Sequence, residues 1–119
     1  MTNYYNGKLA EFLARCYLRL HGYHIVDKNV IIGRGTTAGE IDIVAKCGHC
    51  LVFVEVKKRQ NINTAAYAIS QKQQQRIIRG AACFIQKHPY YQKYDIRFDA
   101  ILIAFPFSIL HLKNAWQAY

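Results

Sequence analysis

Two apolar, β-branched segments separated by a short break constrain the fold of this chain more than any other feature. The segments are residues 40–46 and 51–57, and the break is Cys47-Gly48-His49-Cys50. Their valine, isoleucine and phenylalanine content favours β-strands. A glycine as the first central residue suits a type II′ turn, which joins adjacent antiparallel strands. The sequence therefore predicts a β-hairpin that turns at Gly48-His49.

The turn also sets the register of this hairpin. Counting along both strands from Gly48-His49 places Asp42 opposite Glu55. Two residues further from the turn, Glu40 lies opposite Lys57. Directly opposed residues have Cβ atoms about 4.5 to 5.5 Å apart on one face of the sheet. A slip of one residue in the turn would separate both pairs, so the expected site depends on this register.

The opposed carboxylates need an explanation, because the chain has only seven and three of them lie within residues 40–55. Alternation places Ile41 and Ile43 on the other face of the strand. Two facing carboxylates repel each other, and a divalent cation between them makes the arrangement favourable. Oxygen ligands of this kind suit Mg²⁺ or Mn²⁺ better than Zn²⁺. The hairpin therefore predicts a cation site at Asp42 and Glu55.

Lys57 lies next along the same strand face as Glu55. Its ammonium group could orient or activate a water, or stabilise charge on a phosphate under attack. The alternative is structural: a salt-bridge ladder in which Glu40 pairs with Lys57 and Asp42 pairs with a basic residue elsewhere.

The positive charge of the chain is confined to one segment. In total, 16 Lys+Arg against 7 Asp+Glu residues give a net charge of +9. Residues 1–55 carry six basic and five acidic side chains, residues 56–94 carry eight and none, and residues 95–119 carry two of each. Such a segment favours a polyanion partner, and a solvated surface is the alternative. The nucleic-acid-binding candidates within it are Lys58, Arg59, Lys72, Arg76 and Arg79.

Helical spacing of apolar residues predicts two helices. The first covers about residues 4–20, with Asn3 as its cap. The second lies within residues 64–87, where Ser70 could cap a separate helix and His88-Pro89 ends it. The apolar stripe of the first helix is Leu9, Leu13, Cys16, Tyr17 and Leu20. That of the second is Ile77, Ile78, Ala81, Phe84 and Ile85.

Two further strands are predicted outside the hairpin. Residues 23–32 are rich in β-branched side chains and precede a loop at residues 33–39. Residues 97–105 form the last strong strand candidate, and the segment after Pro106 is short and apolar. Without an internal repeat or linker, the expected fold is one α/β domain over residues 1–119. Its elements follow the order α-β-β-β-α-β, with a mixed central sheet flanked by helices.

The composition excludes a disordered basic tail and a membrane span. Hydrophobic residues make up 52% of the chain, which is enough for one core. No apolar stretch approaches the ~20 uninterrupted residues that a membrane helix needs. We therefore expect a soluble, cytoplasmic protein with no membrane partner.

Three smaller groups have ordinary structural explanations. Cys47 and Cys50 have no second pair at zinc-ligand spacing, so reduced thiols are expected there. Asp99 shares its strand face with Arg97 and could pair with it locally. The tyrosines of residues 90–94 could stack on bases of unpaired nucleic acid, but packing on the domain is the commoner role.

Several motifs spread along the chain form a recognisable set. They are Ala10-Glu11 with Ala14, Gly39-Glu40-Ile41-Asp42-Ile43-Val44, Val52-Phe53-Val54-Glu55-Val56-Lys57, Lys72 and Arg97-Phe98-Asp99. This set resembles the YraN-type family of small bacterial proteins, over about residues 7–103. That family is itself similar to the restriction-endonuclease-like nucleases and the archaeal Holliday-junction resolvases.

The resemblance implies a restriction-endonuclease-like core and Mg²⁺-dependent hydrolysis of nucleic-acid phosphodiester bonds. It makes Asp42 and Glu55 ligands of Mg²⁺ or Mn²⁺. It makes Lys57 the catalytic lysine and Glu11 a further active-site carboxylate, and Glu40 joins them as a catalytic candidate. DNA is the favoured partner, branched or structured DNA is one substrate class, and a homodimer is compatible with the resemblance.

Two alternatives stay open. Helical geometry places Glu11 nearly opposite the predicted apolar stripe, where Arg15 one turn later could pair with it. For the whole protein, the alternative to a nuclease is a non-catalytic nucleic-acid-binding module with a structural or vestigial carboxylate cluster.

Overall fold

The predicted hairpin lies in the middle of a five-stranded sheet. A computed structural model describes residues 3–32, 39–59, 69–104 and 108–118, with the side chains of residues 3–6 left out. Its helices are α1 (Asn3–Leu20), α2 (Gln71–Lys87) and a 3₁₀ helix (Pro89–Lys93). Its strands are β1 (His24–Ile32), β2 (Gly39–Cys47), β3 (Cys50–Lys58), β4 (Asp95–Ala104) and β5 (Ser108–Trp116).

The strands lie side by side in chain order, from β1 to β5. All neighbours are antiparallel except β3 and β4, which run parallel and are connected through α2. A parallel pair needs a crossover connection, usually a helix, and α2 fills that role. The predicted α-β-β-β-α-β order and the mixed sheet are confirmed.

The hairpin has the predicted register. Cys47 pairs with Cys50, and the ladder continues in step to Ile43 opposite Val54. Gly48 has a φ of +60°, as the first central residue of a type II′ turn requires. The paired ladder of β2 and β3 ends at Ile43 and Val54, although both strands continue beyond it. The predicted pairs of Asp42 with Glu55 and of Glu40 with Lys57 therefore lie outside the observed ladder.

Helix α2 starts and ends where the sequence indicates. The Ser70 side chain accepts a hydrogen bond from the backbone N–H of Gln73 at 3.1 Å, and His88 is the C-cap. The buried residues of α2 are Ile77, Gly80, Ala81 and Phe84. Within the described residues, no helix is long and apolar enough to cross a membrane. Parts of three predicted elements, at residues 33–38, 64–68 and 105, lie outside the described residues, as does the Asn3 side chain.

Helix α1 packs on the other face of the sheet, and the predicted stripe is wrong in part. Ala10, Ala14 and Leu18 are buried, whereas Leu9 is 47% exposed and Leu20 is 85% exposed. Residues spaced by one helical turn share a face, so the buried stripe is the alanine row. Small alanine side chains let the helix backbone approach the sheet, and the leucines then lie at the edges of the contact.

The fifth strand is an addition to the predicted order. We expected only a short apolar segment after Pro106, but β5 pairs antiparallel with β4 at the edge of the sheet. Most of its residues are partly or fully exposed, and its register with β4 shifts between Phe98 and Ala100. Asn114 also has a positive φ of 53°. A half-exposed, irregular edge strand lacks the strict alternation by which strands are recognised.

Candidate active site

A cleft of about 370 Å³ opens where β2 and β3 stop pairing. All five predicted catalytic residues line it, and so does one of the predicted nucleic-acid-binding residues, Arg76. The complete lining is Glu11, Gly39, Glu40, Asp42, Glu55, Val56, Lys57, Gln73, Arg76 and Ile77. The cleft therefore collects side chains from α1, β2, β3 and α2.

Asp42 lies at the point where the hairpin ladder ends. Its carboxyl Oδ2 accepts a hydrogen bond from the backbone N–H of Val56 at 2.8 Å. The predicted alternation is wrong at this point, because Ile41 packs beside Gly80 of α2 while Ile43 packs in the core on the α1 side. The hydrogen bond from Val56 to the Asp42 side chain lies just beyond the last backbone pair of the hairpin, Ile43 with Val54. The alternation of β2 breaks at the same place.

The Asp42 and Glu55 carboxyl groups are buried together, with 8% and 7% of each residue exposed. The two carboxyl groups interact directly, and the Glu55 charge opposes ionisation of Asp42. Burial away from water and the neighbouring Glu55 charge raise the pKa of Asp42 to about 8. Two such carboxylates cannot both ionise at low energy unless positive charge enters the site.

Lys57 and Gln73 are the polar neighbours of Glu55. The Lys57 Nζ lies 3.3 Å from Glu55 Oε2, and the Gln73 side-chain amide donates to the same oxygen at 3.4 Å. Burial raises the pKa of Glu55 even though Lys57 opposes this shift. The alternative salt-bridge ladder is not formed within the described residues, because Lys57 pairs with Glu55 and Asp42 has no cationic partner.

Glu11 points into the cleft from α1. At about 3.6 residues per turn, Glu11 lies roughly 20° around the helix axis from Leu18. It is therefore on nearly the same side of α1 as the buried stripe. Its Oε1 atom is buried and has no hydrogen-bond partner among the described residues. Burial, followed by the Asp42 charge, raises the pKa of Glu11. Arg15 instead lies over the Phe12 ring, 6.0 Å from its centroid, and forms no ion pair with Glu11.

The donor set suits a hard divalent cation such as Mg²⁺ better than zinc. Mg²⁺ is commonly held by one or two carboxylates, with water and phosphate oxygens completing the coordination. Asp42 and Glu55 supply two carboxylates, and the buried Glu11 oxygen without a partner lies in the same cleft. Among the described residues no group of three or more His, Cys, Asp or Glu side chains is close enough to hold a metal unaided. Any cation here would therefore keep open positions for water or substrate.

The remaining predicted nucleic-acid contacts lie on two elements beside the cleft. Lys72 and Arg79 are exposed on α2 with Arg76 between them, and Lys58 is exposed at the end of β3. Arg59 is half-buried, and its backbone N–H donates to the Ile103 carbonyl at 2.9 Å. Only Arg76 reaches the cleft lining, so the other four form its surroundings.

Sequence reasoning missed Gln73 as a cleft residue. Gln73 lies one turn before Ile77, so it extends the buried row of α2 with a polar side chain. A polar residue in line with an apolar stripe was the available signal. Its amide donates to Glu55, which ties α2 to β3 at the cleft.

A second buried carboxylate, Asp99, is fully satisfied by its neighbours. Arg97 donates to both Asp99 oxygens at 2.9 and 2.8 Å, which confirms the predicted local pair. His111 Nε2 lies 2.7 Å from Oδ2, and the backbone N–H of Asn114 donates to Oδ1 at 2.9 Å. Arg97 also donates to the Tyr23 hydroxyl at 2.6 Å. This network ties β4 to β5 and is structural.

Known proteins match this chain along nearly its whole length. The model of the uncharacterised protein family UPF0102 matches residues 10–103. A UPF0102 protein of Paramagnetospirillum magneticum is 43% identical over 112 residues, which cover 93% of this chain and 86% of that protein. One from Nitrobacter winogradskyi is 43% identical over 115 residues, covering 97% and 94%. Another, from Parvibaculum lavamentivorans, is 40% identical over 117 residues, covering 98% and 85%.

Proposed function

The chain belongs to the uncharacterised protein family UPF0102, the YraN family, and we propose that it is a divalent-metal-dependent nuclease. Its reaction is hydrolysis of a phosphodiester bond in nucleic acid, with DNA as the favoured substrate. The observation that carries this proposal is the buried carboxyl pair of Asp42 and Glu55, which shares a cleft with Lys57.

The carboxyl pair is unfavourable unless the site receives positive charge. Burial raises the pKa of both groups, and within the described residues only Lys57 offsets the charge of Glu55. Mg²⁺ or Mn²⁺ held by the two carboxylates would remove this penalty and displace the proton from Asp42. When bound, the cation would supply a more acidic water and neutralise charge on a phosphate oxygen.

The other cleft residues have roles that follow from their positions. Lys57 donates hydrogen bonds to a non-bridging phosphate oxygen and stabilises the charge that builds there during attack. Glu11, with an oxygen that lacks a partner, accepts a hydrogen bond from the attacking water and orients it. Arg76, at the rim, holds the phosphodiester backbone, and the exposed Lys72 and Arg79 extend that contact along α2.

Asp42→Asn and Glu55→Gln test this proposal. Each variant keeps the shape of the side chain but removes a charge that would bind the cation, so we expect Mg²⁺-dependent cleavage to fall at least a hundredfold. The measurement is cleavage of end-labelled duplex, single-stranded, flapped and four-way DNA, with Mg²⁺ or Mn²⁺. Asp27→Asn is the matched control, because Asp27 is an exposed carboxylate on β1, and it should cleave normally.

Calorimetric titration with Mn²⁺ separates the nuclease from a non-catalytic binding module, since both would bind DNA. The nuclease requires Mn²⁺ binding that Asp42→Asn abolishes and Asp27→Asn retains. A wild-type protein that binds DNA but neither binds Mn²⁺ nor cleaves any of the four substrates would contradict the proposal.

A further inference from the structure

We propose that a second surface, at the turn end of the hairpin, binds unpaired nucleic-acid bases beside the strand that enters the cleft. This turn-end surface is formed by Lys46, His49, Tyr90, Lys93 and Tyr94. If the turn-end surface binds unpaired bases, the substrate is a nucleic acid with a single-stranded segment next to the cleaved bond. Only this last statement rests on the proposed nuclease function.

The turn-end surface exposes aromatic rings that contact one another. Tyr90 is 71% exposed, and its ring centroid lies 5.9 Å from that of Tyr94. His49 is exposed and stacks on Tyr94, with 4.8 Å between centroids and an interplanar angle of 15°. Aromatic rings presented in this way stack on bases with little dependence on base identity.

The three tyrosines of the 3₁₀ segment divide between the core and the surface. Tyr91 and Tyr94 are half-buried and pack against the α2-side core, where the Tyr91 ring lies 6.3 Å from Phe84. Packing on the domain, the commoner role, therefore explains these two residues. It does not explain Tyr90, whose ring is held by its neighbours but is mostly open to solvent.

Positive charge surrounds these rings. The Lys46 Nζ lies 5.9 Å from the centroid of the Tyr94 ring, and Lys93 is exposed within the 3₁₀ helix. Lys87 is exposed in the last turn of α2. Asp95, at the start of β4, is the neighbouring carboxylate along the chain. Three lysines against one carboxylate suit a phosphate backbone whose bases stack on the rings.

The turn-end surface and the α2 side of the cleft lie along the same face of the sheet. Val44 and Lys46 alternate along β2, so Lys46 faces the α2 side as Val44 does. Helix α2 spans the interval, from Gln73 in the cleft to its last turn at Lys87. At about 1.5 Å per residue this interval is about 20 Å. It corresponds to about six nucleotides of stacked strand at about 3.4 Å each.

Binding of oligothymidylate to the full chain tests the surface independently of cleavage. The probe is a fluorescein-labelled single strand of about fifteen nucleotides, which matches the upper site size of small single-strand-binding surfaces. Fluorescence anisotropy is measured in a chelator, so that the cleft holds no divalent cation. We expect Tyr90→Ala to weaken binding about tenfold, because one base-stacking ring is lost.

Matched variants separate stacking from other effects. Tyr90→Phe keeps the ring and should bind like the wild type. Leu20→Ala removes a still more exposed apolar side chain from α1 and should also have no effect. Lys93→Ala should weaken binding and reduce the slope of affinity against salt by about 0.7. If Tyr90→Ala binds within twofold of the wild type, or if Leu20→Ala weakens binding as much, the surface is not a base-binding site.

A cleavage experiment tests the spacing. The substrates are duplexes with single-stranded thymidine tails of increasing length on the cleaved strand. The proposal requires cleavage to rise when the tail reaches about six nucleotides, and Tyr90→Ala to remove that dependence. Cleavage independent of tail length would overturn the spacing. A protein that cleaves nothing would overturn the proposed nuclease, while the anisotropy result would still decide whether the surface binds single strands.

Discussion

Two places on the central strands bury a carboxylate, and the protein treats them in opposite ways. Asp99 on β4 accepts hydrogen bonds from Arg97, His111 and a backbone N–H, and it has two cationic or potentially cationic neighbours. Asp42 on β2 accepts one backbone hydrogen bond and faces the acidic Glu55. The two sites lie in one sheet, on strands that flank β3.

The pKa shifts of these two groups have opposite signs for a physical reason. Burial opposes ionisation at both sites. At Asp99, hydrogen bonds from His111 and Arg97 outweigh burial and hold the pKa below its usual value. At Asp42, burial and Glu55 act together and raise the pKa to about 8. Asp99 has its partners within the protein, whereas Asp42 has no cationic partner among the described residues, which is why we assign function to the second site.

The largest expected effect on stability comes from Asp99→Asn. Asparagine keeps one acceptor oxygen but removes the charge that Arg97 and His111 share, and breaking a buried ion pair on one side typically lowers the free energy of unfolding by about 3 to 5 kcal/mol. Urea denaturation measures the loss. Asp27→Asn, at an exposed position, should change stability by no more than about 0.5 kcal/mol. A loss below about 1 kcal/mol for Asp99→Asn would show that the network is not a structural anchor.

Cation binding should stabilise only the Asp42 site. A ligand at a hundred times its Kd adds about 2.7 kcal/mol to the free energy of unfolding. We therefore expect Mn²⁺ to raise the thermal unfolding midpoint of the wild type and of Asp99→Asn. It should leave Asp42→Asn unchanged. If Mn²⁺ raises the unfolding midpoint of all three proteins equally, it binds elsewhere. Asp42 would then not be the cation site.

The pH dependence of stability distinguishes the two sites by sign. The folded state keeps a proton on Asp42 up to about pH 8, whereas the unfolded chain releases it near the ordinary pKa of 3.8. Stability without metal should therefore fall as pH rises between these values, by at most about 1.4 kcal/mol per pH unit. Asp42→Asn should flatten this fall.

Asp99 should act in the opposite direction over a lower range. Its folded pKa is depressed, so its contribution is present above the ordinary pKa and is lost as pH falls through the folded value. Metal-free unfolding curves from pH 3 to pH 8 test both signs in one experiment. If Asp42→Asn keeps the same slope as the wild type at neutral pH, Asp42 does not hold the proton that the geometry assigns to it.

Most of the candidate site could be predicted because it depends on one local structure. The type II′ turn at Gly48 sets the register up to Ile43 and Val54, and Asp42 and Glu55 are the next residue on each strand. A two-residue turn is a short-range feature, so a single sequence is enough to specify it. The Ser70 cap and the apolar row of α2 are local in the same sense.

Other parts of the site depend on contacts between distant segments. Whether Glu11 faces the cleft depends on which side of α1 packs on the sheet. The sequence of α1 has two apolar rows, one of leucines and one of alanines, and either could pack there. The larger leucines made the wrong row more conspicuous, while Ala10 and Ala14 allowed the closer approach. The break in alternation at Ile41 also had no sequence signal, because it accompanies the hydrogen bond from Val56 to Asp42.

By itself, the sequence determined the hairpin, its register, the two helices and the confinement of positive charge to residues 56–94. These features follow from periodicity, turn chemistry and composition, which act over a few residues. Only the tertiary structure decided that Glu11 and Gln73 enter the cleft, that β5 closes the sheet edge beside β4, and that Tyr90 is left open to solvent. Those outcomes depend on how closely separate elements pack, and close packing is a property of pairs of surfaces rather than of any one segment.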